Sequence, residues 1–135
     1  MMKNSQSLTL IVGGLVCGIS VALGAFAAHG LKAQLTEYAL TIFQTAAHYQ
    51  FMHGLAMIAC GLALGLPLME KSRNYFGRAA ICFIIGIFCF SGSLYLLALT
   101  GVSWLGFVTP IGGLLFLLGW CMFVLAAINI KEVRV

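Results

Sequence analysis

Charged side chains are confined to the two ends of this chain and to two short internal segments, and this placement constrains the fold most strongly. Only 7% of the 135 residues are charged, and 62% are hydrophobic. A soluble domain usually carries about a quarter charged residues, so this chain has too few to cover a water-facing surface. The long uncharged segments therefore predict an integral membrane protein.

The apolar segments have room for four membrane spans. Crossing a hydrocarbon core about 30 Å thick takes about 20 residues in a helix. We predict one all-α domain over residues 1–135, a compact bundle of four transmembrane helices with spans at about 8–28, 46–68, 79–99 and 110–130. The second span starts between Tyr38 and Ala46. The charge-rich residues 70–78 form the linker between the second and third spans.

The start of the fourth span has two interpretations. Thr109 followed by Pro110 is typical of a helix N-cap and a proline at the first helical position. The alternative is a longer helix from Ser103 that is kinked at Pro110. We favour the first, in which residues 100–108 form an interfacial connection.

The basic residues predict the orientation, because lysine and arginine are enriched in cytoplasmic connections. Six of the seven lie on one side if both termini are cytoplasmic, and only Lys32 lies on the other. The six are Lys3, Lys71, Arg73, Arg78, Lys131 and Arg134. We predict this N-in, C-in topology. The basic residues behind the net charge of +4 then set the orientation in the membrane. We predict the lipid bilayer as a partner and no binding to nucleic acid.

A cleavable signal peptide is the competing interpretation of the first span. The letters AFA at residues 25–27 resemble a small-residue cleavage site. The uncharged run of residues 4–30 is, however, longer than the roughly 7–15 residues of a typical signal core. We therefore predict that the segment is retained as a span.

Small residues follow one face of the first span, at Gly14, Gly18, Ala22 and Ala25. Such residues let helix backbones approach closely inside a membrane. The pattern predicts tight packing within the bundle. It also fits a homo-oligomer or a membrane-protein partner, and the sequence leaves these alternatives open.

Polar residues collect near the outer ends of all four predicted spans, whereas the cytoplasmic halves are almost purely apolar. Polar groups in a membrane either hydrogen-bond between helices or mark a functional site. The predicted pocket-lining set is His29, Gln44, Thr45, Tyr49, Gln50, His53, Ser91, Ser93, Tyr95 and Thr109. Both interpretations of this layer stay open at the sequence level.

The spacing in the second span separates its histidines. At 100° per residue, Tyr49 and His53 share one face, with Gln50 beside them. His48 lies five residues before His53 and so points about 140° away from it, whereas ligands on one helix face are three or four residues apart. We therefore predict no metal site on this helix, and we expect His48 to face headgroups or water. A pairing of His53 with His29 stays open.

Four motifs resemble one known family. They are GAFAAHGL at 24–31, QTAAHYQFMHGLA at 44–56, FSGSLY at 90–95 and TPIGG at 109–113. In this order they resemble the small bacterial membrane family catalogued as domain of unknown function 423, or uncharacterised protein family 0382. The resemblance implies a multi-pass protein of the bacterial inner membrane and no established activity. Besides the pocket-lining set, the matching positions are Gly92, Pro110, Gly112 and Gly113, which we interpret as structural together with Gly14 and Gly18.

Three functions compete at this stage, beside a purely structural or assembly role. The first is a non-enzymatic module whose polar layer opens to the outer face and binds a small amphiphile, such as a lipid, a quinone or a haem-like group, or a partner's helix; the cofactor is unknown. The alternative is a small transporter or channel subunit, although no carboxylate lies in any predicted span. An enzyme is not expected, because no acid is placed to orient a histidine and the candidate metal ligands are too few.

Overall fold

The computed structural model describes residues 2–130, and the side chains of residues 4–130. All regular secondary structure in this part of the chain is helical, which confirms the all-α prediction. The α-helices are α1 (Met2–Phe26), α2 (Glu37–Leu64), α3 (Glu70–Ile87), α4 (Ser93–Thr100) and α5 (Thr109–Ile128). Lys131 and Arg134, on which the orientation prediction partly rests, lie outside the described residues, as does the side chain of Lys3.

Three short helical segments connect or extend these helices. A π-helical turn, Ala27–Leu31, continues α1. A second π-helical turn, Phe88–Gly92, joins α3 to α4 into one long segment. A 3-10 helix, Ser103–Phe107, precedes α5. The described chain therefore forms four long helical segments.

Local chemistry sets two of the helix ends. The Thr36 hydroxyl is the N-cap of α2 and accepts a hydrogen bond from the Ala39 backbone N–H at 3.2 Å. Gly101 ends α4 in the left-handed conformation, with φ 70°, and its N–H donates to the Leu97 carbonyl at 2.9 Å. Glycine suits this position because it has no Cβ to clash there.

Two predicted boundaries are wrong. Residues 70–78 are not an irregular linker, because α3 begins at Glu70 and these residues form about its first two and a half turns, whereas the start of the third membrane span at about residue 79 stays a prediction. An acidic residue in the first turn of a helix is favoured by the helix dipole. Thr109 is not the N-cap of α5, because Val108 takes that position and Thr109 is the first helical residue.

Helices α1 and α2 are antiparallel and pack through small residues. A Cβ on Gly65 would meet the Gln6 side chain, one on Gly13 would meet the Gly54 carbonyl oxygen at 3.2 Å, and Ser20 bonds to the Ala47 carbonyl. Residue numbers therefore rise along α1 as they fall along α2, over most of the length of both helices. Glycines at the contact allow this close approach.

The packed face of α1 is not the predicted one. Gly14 and Gly18 are exposed, and a Cβ on either would meet nothing within 4 Å. The buried face instead carries Gly13, Cys17 and Ser20. The two faces differ by about 100°, the rotation of one residue in a helix. The prediction that the Gly14 stripe packs inside the bundle is therefore wrong, and its alternative role in an oligomer stays a prediction.

Helices α3 and α5 are also antiparallel. Ser72 contacts Ala126 near one end, and Gly86 faces Phe116 further along. Among the glycines predicted to be structural in this region, Gly112 makes the closest approach, because a Cβ there would overlap the Phe90 backbone nitrogen. A Cβ on Gly113 would sit 4.0 Å from the Phe90 ring, and one on Gly92 would meet nothing within 4 Å. Pro110 is exposed in the first turn of α5.

Three helical segments in the described chain are long and apolar enough to cross a membrane: Asn4–Leu31, Glu70–Thr100 and Ser103–Ile128. Helix α2 has 28 residues, which is also sufficient length. It carries, however, Gln44, His48, Gln50 and His53, which lower its overall hydropathy.

Candidate functional site

Gln50 connects three helices by two hydrogen bonds. Its side chain is buried, and its Nε2 donates to the Val16 carbonyl of α1 at 2.9 Å. Its Oε1 accepts from the Tyr95 hydroxyl of α4 at 2.9 Å. A buried amide without partners would cost free energy, so these two bonds explain how Gln50 is accommodated between apolar helices.

Both ring nitrogens of His53 are engaged in hydrogen bonds. The Trp120 indole N–H of α5 donates to His53 Nε2 at 3.2 Å, and His53 Nδ1 lies 2.8 Å from the Tyr49 carbonyl oxygen. Because an indole N–H only donates and a carbonyl only accepts, the ring is neutral with its proton on Nδ1. The imidazole also stacks on Phe116, with ring centroids 3.5 Å apart. Binding a metal through His53 would therefore require breaking one of these bonds.

Two buried serines tie neighbouring segments to α2. Ser20 of α1 donates to the Ala47 carbonyl at 2.6 Å. Ser91, in the second π-helical turn, donates to the Ala46 carbonyl at 2.8 Å. The carbonyls of two consecutive α2 residues thus accept bonds from two different segments, which fixes α1 and the α3–α4 segment at one level of α2.

Ser93 and Thr109 join α4 to α5. Their hydroxyl oxygens lie 2.7 Å apart, and Ser93 also donates to the Phe90 carbonyl at 2.9 Å. Since a hydroxyl has a single proton, the Thr109 hydroxyl is the donor between the two. Thr109 therefore contributes to interhelical bonding rather than to helix capping.

The predicted set divides into two groups. Six of its residues form the bonds just described, and we call them, with Ser20 and Trp120, the polar layer. The six are Gln50, His53, Ser91, Ser93, Tyr95 and Thr109. The other four do not join it through side-chain bonds. Gln44 and His29 are exposed, Thr45 donates to the Thr41 carbonyl of its own helix at 2.9 Å, and Tyr49 is 38% exposed beside Phe90.

Two specific expectations about histidine can be compared with these positions. His48 is exposed on α2, on a different side from the buried His53. His29 is exposed in the π-helical turn that extends α1, whereas His53 is engaged by Trp120 and Tyr49. The structure therefore does not bring His29 and His53 into one site.

Three residues of the buried bonding pattern were missed by the sequence reasoning. Ser20 and Trp120 belong to the polar layer, and Ser72 of α3 donates to the Ala126 carbonyl at 2.9 Å. Ser20 lies two residues after Gly18, about 200° further around α1, so it falls outside the predicted small-residue stripe. Trp120 lies far from either end of the fourth apolar segment. An indole N–H at that depth needs a hydrogen-bond acceptor, so Trp120 was the available signal for a buried acceptor on a neighbouring helix, which is His53.

The polar layer is satisfied by its own bonds. Among the residues whose side chains are described, no buried side-chain nitrogen or oxygen lacks a hydrogen-bond partner. In the same part of the chain, no three histidine, cysteine or acidic side chains lie close enough together to hold a metal ion. A ligand entering this layer would have to replace existing bonds.

A lateral groove opens elsewhere, between α1 and α3. This lateral groove has a volume of about 1060 Å³. Its lining is mainly apolar, with a polar and basic group at the start of α3. The lining residues are Ser5, Leu8, Thr9, Val12, Met57, Leu64, Leu68, Glu70, Arg73, Asn74, Gly77, Arg78, Ala80, Ile81 and Ile84. We call the part of the bundle that contains Arg73 and Arg78 the basic half, and the part that contains the polar layer the polar half.

A smaller groove of about 280 Å³ opens between α1 and α2 in the polar half. It is lined by Ser20, Val21, Gly24, Gln44, Ala47, His48 and Phe51. Of the ten predicted pocket residues, it includes Gln44 alone. The predicted polar pocket and the lateral groove are therefore at different places in the molecule.

Long apolar helical segments joined by buried hydrogen bonds define a helical membrane protein. The chain belongs to a family described as protein of unknown function (DUF423), which matches residues 23–113. It is 40% identical over 121 residues to a Staphylococcus haemolyticus protein named UPF0382 membrane protein, covering 90% of this chain and 95% of that one. No solved structure matches the chain.

Two further relatives come from other bacteria. A UPF0382 membrane protein of Haemophilus influenzae is 42% identical over 120 residues, covering 88% of this chain and 90% of that one. The Bacillus subtilis UPF0382 membrane protein YwdK is 36% identical over 122 residues, covering 89% and 95%. These findings confirm the family resemblance and a membrane protein of unknown biochemical role.

Proposed function

We propose that the protein is a non-catalytic module of the bacterial cytoplasmic membrane that receives an amphiphile from the bilayer in its lateral groove. One observation carries this proposal: a mainly apolar groove of about 1060 Å³ has polar groups at one end, while the polar half is closed by its own hydrogen bonds. Ligand sites typically combine apolar walls with a few polar groups.

We propose four crossings of the membrane. Helix α1 lies within a segment long and apolar enough to span, and α2 runs antiparallel beside it from the level of Ser20 to the level of Gln6. A helix that follows α1 over this length crosses the same depth. Its Gln50 and His53 are shielded from lipid because they are buried and bonded to neighbouring helices.

We propose that both termini are cytoplasmic. Lys71, Arg73 and Arg78 lie at the basic half, close to the start of α3, whereas Lys32 follows the opposite end of α1. Basic residues favour the cytoplasmic side. This orientation places the lateral groove in the cytoplasmic leaflet and the polar layer in the outer leaflet.

We assign the polar layer the role of holding the helices together. Apart from the bond between His53 and the Tyr49 carbonyl of its own helix, its bonds join a side chain to another helix or to a turn, and such bonds stabilise membrane bundles by about 0.6 kcal/mol on average. The transporter alternative receives less support, because a histidine relay would depend on His53, whose two ring nitrogens are both engaged.

Reporter fusions test the topology. Alkaline phosphatase and green fluorescent protein are fused after residues 34, 69, 101 and 135. We expect phosphatase activity at 34 and 101 and fluorescence at 69 and 135. The same reporter response at 34 and 69 would show that α2 does not cross, and a fully reversed pattern would overturn the orientation.

Gentle purification tests the binding role. Native mass spectrometry of the purified protein should show a retained lipid-sized adduct, and the absorption spectrum should lack a haem or quinone band. A stoichiometric chromophore would contradict the assignment of the amphiphile to the lateral groove. Solute flux in proteoliposomes that falls in a His53→Ala variant would instead establish the transporter alternative.

A further inference from the structure

We infer that the lateral groove binds one anionic phospholipid of the cytoplasmic leaflet, with its headgroup at the Arg73 end, within reach of the long Arg78 side chain further along α3, and an acyl chain along α1 and α3. This inference deepens the proposed function by naming the chemical class of the amphiphile. It depends on that proposal for the choice of leaflet, whereas the lipid class follows from the groove itself.

The length of the groove matches one leaflet. Its lining on α3 extends from Glu70 to Ile84, and the eleven residues of helix from Arg73 to Ile84 rise by about 16 Å. One leaflet contributes half of a hydrocarbon core about 30 Å thick. A chain lying along the groove would therefore reach from the headgroup level to the middle of the bilayer.

The walls of the groove suit an acyl chain. Leu8 and Val12 of α1 face Ile81 and Ile84 of α3 across it, and Met57 of α2 contributes to its floor. Ile81 is 57% exposed, so apolar surface is available beyond what the four-helix packing covers. Gly77 lies midway along the α3 wall, and a Cβ there would meet nothing within 4 Å, which leaves space beside the backbone.

The polar end of the groove suits a phosphate. Arg73 lies at this end, and Arg78 lies five residues, or about 7.5 Å, further along α3; each contributes a guanidinium group to the lining. Guanidinium groups bind phosphate through paired N–H donors, and Arg73 also donates from Nη1 to the Leu66 carbonyl at 3.5 Å. Glu70 is the opposing charge at the same end, so the three charged lining residues carry a net charge of +1, from two positive charges and one negative charge. Ser5 and Asn74 add neutral polar groups that can bond to a headgroup.

The arrangement favours a lipid over a free anion. A soluble phosphate would use the basic end and leave the apolar walls between Leu8 and Ile84 uncovered. A phospholipid satisfies both parts, because its phosphate and its acyl chains are joined in the same order as the basic and apolar parts of the groove. A second copy of this chain in the groove would cover the apolar walls without using the two arginines.

Lipid titration followed by native mass spectrometry tests the inference. The full-length protein in detergent receives dioleoyl phosphatidylglycerol or dioleoyl phosphatidylcholine at equal concentrations. We expect phosphatidylglycerol to occupy one site at least several-fold more strongly. Inorganic phosphate at millimolar concentration should not displace it.

Matched variants separate the groove from general surface charge. Arg73→Gln and Arg78→Gln should each weaken phosphatidylglycerol binding several-fold. Lys71→Gln removes the same charge from the turn of α3 that also contains Arg73. Lys71 is exposed and lies outside the groove lining, so its replacement should change binding less than two-fold. Gly77→Leu should abolish the site by filling it without lowering the unfolding temperature, because an added Cβ meets nothing within 4 Å and leucine favours helix more than glycine.

Several outcomes would overturn the inference. Equal binding of the two lipids would show that the groove does not select an anionic headgroup. If Lys71→Gln weakened binding as much as the two arginine variants do, the preference would come from general surface charge. Displacement by inorganic phosphate would indicate a free-anion site, and a dimer lost in Gly77→Leu would indicate a second copy. Because the measurement is made in detergent, a reversed topology in the fusion experiment would leave its result intact and would change only the assigned leaflet.

Discussion

The polar half and the basic half of this bundle differ in how they use polar residues. In the polar half, Gln50, His53 and Ser91 are buried and bonded to neighbouring helices, and the helices are closely packed. In the basic half, a wide groove separates α1 from α3, and its polar groups stand at one end. A concentration of polar residues in a membrane sequence can thus mark where helices are joined, while the opening lies where the sequence is mostly apolar.

The strongest expected disruption of the polar half is at Gly112. A Gly112→Leu variant places a side chain against the Phe90 backbone, and we expect it to lower the free energy of unfolding by about 3 kcal/mol, the upper part of the usual range for overpacking. Unfolding in mixed detergent micelles, followed by circular dichroism, measures this. Gly14→Leu is the matched control at an exposed glycine and should change stability by less than about 0.5 kcal/mol.

A smaller loss is expected when Gln50 is replaced by leucine. The variant removes the partner of the Tyr95 hydroxyl and of the Val16 carbonyl, and an unsatisfied buried group costs about 1–3 kcal/mol. Adding Tyr95→Phe also removes the hydroxyl group that Gln50→Leu leaves without a partner. The double variant should therefore be more stable than the sum of the two single changes predicts, and strict additivity would argue that the two side chains are not coupled.

Replacing Trp120 by phenylalanine should cost about 1 kcal/mol, the usual net value of one hydrogen bond. The more specific measurement is the nitrogen-15 spectrum of His53. In the unmodified protein we expect the neutral tautomer with the proton on Nδ1, and in Trp120→Phe a change in the Nε2 shift. A proton on Nε2 in the unmodified protein would contradict the bonding pattern described for the polar layer.

The smallest effect is expected at Gly18, on the exposed face of α1. Gly18→Ala should not lower the free energy of unfolding of the monomer and should raise it by at most about 1 kcal/mol, because the added methyl group meets no other atom within 4 Å and alanine favours helix more than glycine. Chemical cross-linking in membranes checks the remaining role of the stripe. Loss of a cross-linked dimer in Gly18→Ile would show that this face joins two copies of the chain.

The family motifs and the polar layer overlap only in part. The segment of residues 44–56 contains both Gln50 and His53, which bond across helices, and Gln44 and His48, which are exposed. Wheel geometry separates His48 from His53 because their directions differ by about 140°. It gives no distances between helices, so it could not show that Trp120, far along the chain, completes the bonds of His53.

The sequence by itself determined the all-helical class, the apolar segments and the separation of charge, because these depend on local composition and on the cost of exposing polar groups to lipid. It did not determine which face of α1 packs, since Gly13 and Gly14 both lie in small-residue patterns and only the contact with Gly54 selects between them. The tertiary structure also decided that the polar layer is closed and that the groove lies between α1 and α3. Both features depend on the distances between helices, and helical periodicity carries no information about those distances.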